Sequence, residues 1–273
     1  MTRLAVAATF AVFAIACDEP HSTDNVPRPA MISIPAGDAL LAGPNAERLG
    51  ATSLARLHLD AFEIGEFEVT IGDYRTCWDH GPCRLGNMIS RLLGHTPDSP
   101  VDIVPIGLLD KRESSWVAMW GVSAFEARQF CAWIGMRLPT ALEWEKAARG
   151  TDGRPHPWGW EPATRKRSSN FSWNTRFPTA VGLLPEGMSP YGVSDMMGNV
   201  TEIVVSDDDP RVAYVAGGYE LTDEQLSPGA TQLPGMRPMK DAFTRQLSRY
   251  IGFRCARSVR SGNDRLAPAG PGQ

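Results

Sequence analysis

Two short helices written back to back, each bounded by its own start and stop residues, constrain this chain more than any other stretch. They lie in GVSAFEARQFCAWIGMRLPTALEWEKAARG, Gly121 to Gly150. Ser123 stands before an apolar run and Glu126 follows it, the reciprocal pattern in which side chain and backbone satisfy each other's orphan donors at a helix start. Ala127, Phe130, Cys131 and Ile134 then recur at helical spacing, and Gly135 suits the left-handed residue that ends such a helix. The pattern repeats at once. Thr140 and Glu143 form a second capping box behind Pro139, Trp144, Ala147 and Ala148 supply the apolar side, and Gly150 closes it.

With 273 residues, of which 42% are hydrophobic and 21% charged, the chain has material for one sizeable core and reads as one domain with tails. Its 26 Gly, 22 Pro and 8 Trp describe a loop-rich fold whose turns are set by backbone chemistry and whose core leans on aromatic side chains. A net charge of -4 gives no electrostatic footing for a nucleic-acid partner.

The N-terminus begins with Arg3 and an apolar run from Leu4 to Ile15, too short to span a bilayer, and reads as an export signal. Ala14, Ile15 and Ala16 before Cys17 resemble a bacterial lipobox, in which the cysteine is lipidated and becomes the first residue of the mature protein; cleavage after Ala16 without lipidation is the alternative. Residues 1–17 are therefore expected to be the signal, 18–30 a polar tether, 31–260 the domain and 261–273 a disordered tail. The expected location is the cell envelope, in the periplasm or at the outer membrane, held by the lipid anchor. Within the domain, Glu68 and Thr70 are expected to begin a short helix carrying Tyr74 and Cys77, PVDIVP to form a strand, Trp158 and Trp160 to plug the core, and Asp207 to Asp209 to be a solvated loop.

Six blocks carry a resemblance: FCAWIGMRLPTALEWEKAARG, PWGW (Pro157 to Trp160), SNF (Ser169 to Phe171), SPYGVSDMMGNVTE (Ser189 to Glu202), AGG (Ala216 to Gly218) and GFRCAR (Gly252 to Arg257). In this order, spread between Ala30 and Arg257, they resemble the formylglycine-generating enzyme family, the sulfatase-modifying factors. The resemblance implies an α+β fold, a variant of the C-type lectin fold that is loop-rich, with short helices and small antiparallel sheets. MISIPAGDALLAG resembles the family's opening hairpin, as does His58 to Cys77.

An exported chain meets an oxidising compartment, where thiols pair. With Cys17 as the lipid site, Cys77, Cys83, Cys131 and Cys255 remain and allow three pairings. The short WDHGP loop makes a Cys77–Cys83 bridge the simplest choice, which leaves Cys131 to Cys255; the resemblance implies the same long-range bridge. The family's oxidation of a client cysteine uses copper held by two thiolates, which lie shortly after a Gly-Gly-Ser-Trp-like strand. Here that strand reads AGGYE, and no cysteine occurs between Tyr219 and Arg254, so no copper is expected. The five histidines, His21, His58, His80, His95 and His156, are scattered and leave the C-terminal segment without one.

SDMMGNVTE resembles the family's structural calcium loop, which implies carboxylates from Asp195 and Glu202 and carbonyls from Gly198 and Val200. A second such site would begin at Asn170 and Phe171, but the aspartate the pattern needs downstream is not evident around Trp173 to Phe177. Arg137 and Arg254 read as structural ion-pair or backbone-bonding residues rather than catalytic ones. The variable segment from Tyr219 to Tyr250 occupies the region where the family builds its client groove, with Tyr219, Arg237, Arg245 and Tyr250 as candidate contacts for a protein, peptide or glycan. The sequence therefore reads as a lipid-anchored binding or envelope-assembly module without the family's oxidase chemistry. The alternatives are an oxygen-dependent metalloenzyme with other ligands and a purely structural lipoprotein.

Overall fold

Three capping boxes set three helices in a computed structural model that describes residues 26–42, 54–83, 115–168, 178–217, 237–238 and 251–259. Helix α1 (Ile71–His80) starts at Thr70 and Asp73, α2 (Ala124–Trp133) at Ser123 and Glu126, and α3 (Ala141–Arg149) at Thr140 and Glu143, each with both reciprocal bonds present. Gly135 and Gly150 have φ of 74° and 70°, the left-handed conformation that these helix ends require. The expected α1 is present with one correction: Thr70 caps it, but Glu68 lies before it and is buried, with only 2% of its surface exposed.

The strands are short. In chain order they are β1 (Met31–Ile34), β2 (Gly37–Ala42), β3 (Leu54–Leu59), β4 (Phe62–Gly65), β5 (Thr201–Val205), β6 (Ala213–Ala216), β7 (Arg237–Pro238), β8 (Ile251–Gly252) and β9 (Ala256–Ser258). They form three small sheets, ordered β1-β4-β9, β2-β3 and β7-β6-β5-β8. Every pairing is antiparallel except β5 with β8. The segment expected to open the domain as a hairpin does not pair with itself: β1 joins β4 and β2 joins β3. The break falls at Pro35 and Ala36, where Lys146 of α3 reaches in and donates to the carbonyls of Pro35 and Gly37 at 2.7 and 2.9 Å. The loop-rich α+β arrangement of short helices and small, mostly antiparallel sheets is otherwise as the sequence implies.

Two apolar clusters hold the sheets to the helices. In one, Phe130 of α2 packs against Tyr74 of α1 and Phe253, with ring centroids 5.8 and 5.5 Å away, the second pair edge to face. In the other, Trp144, Ala147 and Ala148 of α3 face Ile34, Phe62, Ile64, Val193 and Val204. The turn between α2 and α3 is pinned on both sides, since Arg137 forms a β-bridge with Ala256 and Thr140 one with Val205. Of the two tryptophans expected in the core, Trp158 is half-buried against Ala163 and Met197, whereas Trp160 is 61% exposed beneath the guanidinium of Arg154. The ring finds its partner at the surface, in a cation–π contact. Among the described residues no helix is long and apolar enough to cross a membrane. Residues 1–25, the strand expected at PVDIVP and the tail 261–273 lie outside the described residues.

The cysteines pair as Cys77–Cys83 and Cys131–Cys255, spanning 6 and 124 residues of sequence. In the chain-entropy model, bridges of these spans restrict the unfolded chain by about 2 and about 5 kcal/mol respectively. Replacing Cys131 and Cys255 together by alanine should accordingly lower the unfolding free energy, read from denaturant titration, by more than twice as much as replacing Cys77 and Cys83.

His156 yields a second expectation. Its ring is fully buried and stacked 5.0 Å from Trp158, with no hydrogen-bond partner on either nitrogen. Burial, then the charges of Arg149 and Arg167, hold its pKa below the ordinary value. The folded state therefore resists a proton that the unfolded chain accepts near pH 6.5. The stabilisation is present above that pH and is lost as pH falls toward the folded pKa. The melting temperature should drop on going from pH 7 to pH 5, and the drop should be smaller in His156→Gln; equal drops would remove His156 as a cause.

Candidate functional site

At the centre of the molecule one arginine uses all of its donors. Arg254 is completely buried, and so is its partner Glu202. Arg254 Nε donates to Glu202 Oε2 at 2.7 Å and Nη2 to Oε1 at 2.6 Å, a two-point pairing of guanidinium and carboxylate. Its remaining protons go to the carbonyls of Gly65 and Glu66 through Nη1, at 3.0 and 3.2 Å, and to that of Ser194 through Nη2, at 3.0 Å. Trp144 Nε1 adds a bond to Glu202 Oε2 at 3.0 Å. Burial disfavours the Arg254 charge, but Glu202, Glu68 and Asp195 outweigh it and hold its pKa up.

The loop that precedes β5 wraps this pair. Asp195 and Asn199 both adopt positive φ, 56° and 53°, and Gly198 reaches 111°. Such backbone is uncommon in residues with a side chain, and short polar side chains that bond locally are the ones that tolerate it. Asp195 Oδ2 accepts from the Gly182 amide at 2.6 Å, and Asn199 Oδ1 accepts from the Thr179 amide at 2.8 Å. Gly252 is needed opposite the loop, because a Cβ there would lie 2.3 Å from the Met119 carbonyl oxygen. Glu68 completes the surroundings. Burial, then the Asp195 carboxylate, push its pKa well above the usual range, and neither of its oxygens has a hydrogen-bond partner. Asp195 is likewise raised, chiefly by burial.

Of the residues the sequence singled out, Asp195, Gly198 and Val200 lie on the loop before β5 and Glu202 on β5 itself, engaged by Arg254 and Trp144. Arg254 and Arg137 are the structural ion-pair residues expected, Arg137 gripping Glu143 at 2.7 Å through both terminal nitrogens. Asp209 pairs with Arg211 at the surface. Asn170, Phe171, Tyr219, Arg245, Tyr250 and Cys17 lie outside the described residues, and Arg237 is placed on β7 at a sheet edge. Sequence reasoning missed Glu68 as a buried acid. The available signal was Arg254 itself, a cation in an otherwise apolar GFRC block that had to be answered by carboxylates elsewhere.

The donor set decides what metal chemistry fits. A thiolate copper pair does not, because four of the five cysteines are in bridges. His58 is on exposed β3, bonded to Asp38, His80 ends α1, and His156 sits against Trp158; among the described residues no three His, Cys, Asp or Glu side chains group closely enough to hold a metal. Hard oxygen donors are another matter. The 195–202 loop offers a carboxylate and backbone carbonyls, and the orphaned Glu68 oxygens and Ser194 hydroxyl beside it are what an oxygen-seeking cation would engage.

Comparison with known proteins follows this geometry. The model of the sulfatase-modifying factor enzyme 1-like domain family matches residues 18–259. Hercynine oxygenase of Mycobacterium tuberculosis is 31% identical over 190 residues, 59% of this chain and 41% of that protein. The inactive C-alpha-formylglycine-generating enzyme 2 of Bos taurus is 35% identical over 152 residues, 50% of this chain and 48% of that protein. The chain thus spans less than half the length of these curated relatives. Among solved structures, CarF superposes with a TM-score of 0.57 at 17% identity, over 85% of this chain and 99% of that one. PvdO from Pseudomonas aeruginosa superposes with 0.56 at 19%, over 85% and 95%. At such identities the likeness is one of fold.

Removing one partner from the buried pair should unfold the centre rather than tune it. Arg254→Met leaves Glu202 facing Glu68 and Asp195 without a counter-charge, and should cost roughly 3–5 kcal/mol in denaturant titration. Arg137→Met, whose guanidinium is partly exposed beside Glu143, should cost far less.

Proposed function

The chain belongs to the sulfatase-modifying factor enzyme 1-like domain family, and from that premise we propose that it is an exported, lipid-anchored member that has given up the family's copper-dependent oxidation and acts as a binding or envelope-assembly module. One observation carries this reading. Cys77, Cys83, Cys131 and Cys255 are spent on two bridges, and the fifth cysteine, Cys17, stands at the end of the N-terminal apolar run. A client thiol would find no metal-bearing sulfur pair to meet it. The likeness to a bovine relative whose name marks it inactive supports loss of chemistry with retention of the domain. The lipobox-like run before Cys17 supports the anchor, and the segment from Tyr219 to Tyr250 is the proposed seat of specificity.

A second reading, an oxygen-dependent metalloenzyme with other ligands, is favoured by the similarity to hercynine oxygenase. Incubated with copper and oxygen, the purified mature chain should leave a sulfatase-type cysteine peptide unmodified by mass spectrometry, and should contain neither iron nor copper in stoichiometric amount. Formylglycine in the peptide would overturn the first reading, and one iron per chain would establish the second. In a bacterial host the full chain should partition with membranes, and Cys17→Ser should release it; release of neither or both would remove the anchor.

A further inference from the structure

The side of α1 that turns away from the core borders a cavity. Ile71, Tyr74 and Cys77 are buried, so Gly72, Asp73 and Thr76 fall on the outer side of the same helix. Together with Ser115, Trp116, Val26 and Pro27 they line a space of about 390 Å³, the size of a small-molecule site. Gly72 sets its width. A Cβ there would lie 2.9 Å from the Ser115 carbonyl oxygen and 3.1 Å from the Ser115 Cβ, so glycine lets the 115–118 stretch run this close to the helix start. That stretch is tied on both sides: the Ile71 amide donates to the Val117 carbonyl at 2.9 Å, the Val181 amide to that of Trp116 at 3.0 Å, and Ala118 bridges Thr70. The Trp116 backbone is therefore fixed while the residue stays 69% exposed.

A lone exposed tryptophan needs no explanation. Trp116 differs in two respects from Trp160, which is also exposed. Trp160 carries the Arg154 guanidinium over its ring, whereas nothing stacks on Trp116 among the described residues. Trp116 also borders a cavity whose polar side chains are hydroxyls and one carboxylate. Asp73 Oδ2 accepts from the Thr70 amide and hydroxyl at 3.0 and 2.7 Å, which leaves Oδ1 without a partner among the described residues. The Thr76 hydroxyl donates to the Gly72 carbonyl at 2.9 Å and keeps its lone pairs, and the Ser115 hydroxyl is unbonded among the described residues. The capping box thus holds the acid in place before any ligand arrives.

The lining selects the ligand by charge and shape. Its described residues include no Lys, Arg or His, the groups that phosphate, sulfate or carboxylate would need. A quaternary ammonium takes a cage of aromatic faces, and here there is one. A pyranose ring matches. Its C–H face is apolar and lies well on the electron-rich face of an indole, while its rim of hydroxyls both donates and accepts. We propose that this cavity binds a neutral sugar of a glycan chain, stacked on Trp116, with hydroxyls donating to Asp73 Oδ1 and Thr76 Oγ1 and accepting from Ser115. The proposal rests on the binding-module reading and gives that module a ligand class, at residues that all lie outside the Tyr219–Tyr250 segment.

The test is calorimetric titration of the purified full-length chain with chitotetraose, cellotetraose and maltotetraose, and with choline as a cationic probe. At least one tetrasaccharide should bind saturably, and choline should not. For that sugar Trp116→Ala should lower the affinity at least about tenfold, as truncation of a key aromatic contact does, and leave the melting temperature unchanged because the side chain is in solvent. Trp116→Phe should keep most of the affinity. Asp73→Asn retains an oxygen for the Thr70 bonds but puts an amide where Oδ1 stood, and should also weaken binding. Trp160→Ala should leave binding as it is. Binding of no sugar, binding of choline in its place, or equal losses in Trp116→Ala and Trp160→Ala would overturn the proposal. None of these results bears on the peptide-oxidation experiment, so the sugar site and the loss of copper chemistry stand or fall separately.

Discussion

The two-point bond between Arg254 and Glu202 is the constraint on which the rest of the structure depends. Five N–H groups of one side chain find five acceptors on three separate stretches of chain, and the carboxylate is gripped from the other side by Trp144 of α3. The sheets are too short to fix one another, β8 being two residues long and β9 three. Stability in a fold with so little ladder must come from points where many segments converge. A buried ion pair is an expensive way to gain stability, because desolvation consumes most of the attraction. Its contribution is better read as specificity: no other register of these loops presents two carbonyls at Gly65 and Glu66, one at Ser194 and a carboxylate to the same guanidinium.

The long bridge completes that geometry. Cys131 lies in the last turn of α2 and Cys255 beside Arg254, so the disulfide and the ion pair fasten adjacent residues to different helices, the first to α2 and the second, through Glu202 and Trp144, to α3. Both helices are thereby referred to the Gly252–Arg257 strand region. Their own connection is short and is bridged to the same strand at Ala256.

What could be read from sequence divides along the range of the interaction responsible. All three capping boxes join residues three apart, and α2 and α3 were legible to within a residue because the chemistry that starts and stops them is contained in the helix and its flanks. The family blocks extended that legibility to the bridge between Cys131 and Cys255. The failures involve partners that no local pattern announces, two of them distant in sequence. MISIPAGDALLAG looks like a hairpin until Lys146, more than a hundred residues on, takes the carbonyls of Pro35 and Gly37. Trp160 has every reason to be buried until Arg154, only a few residues back, is found over its ring. Glu68 is flanked by Phe67 and Val69 and followed by a capping threonine, so its local context spells an ordinary first-turn acid. Only the packed interior reveals it as a buried acid with neither oxygen bonded.

The same division bears on how such a domain changes its chemistry. None of the groups that hold the fold together is a group that the family's oxidation needs: the guanidinium, the carboxylates, the capping hydroxyls and the bridged sulfurs are all spent on structure. The residues that would line a client groove fall instead between β6 and β8, a connection that adds to the described sheet only the edge strand β7. A chain can therefore lose thiolates from that connection without disturbing a single bond of the buried centre. Selection on the scaffold and selection on the reaction act on separate residues, which is why the helix, 195–202 loop and GFRC blocks can persist where the sulfur pair does not. The family's fold is thus legible in this chain from residues that say nothing of its activity, and its activity must be sought in the stretch where the family pattern fails.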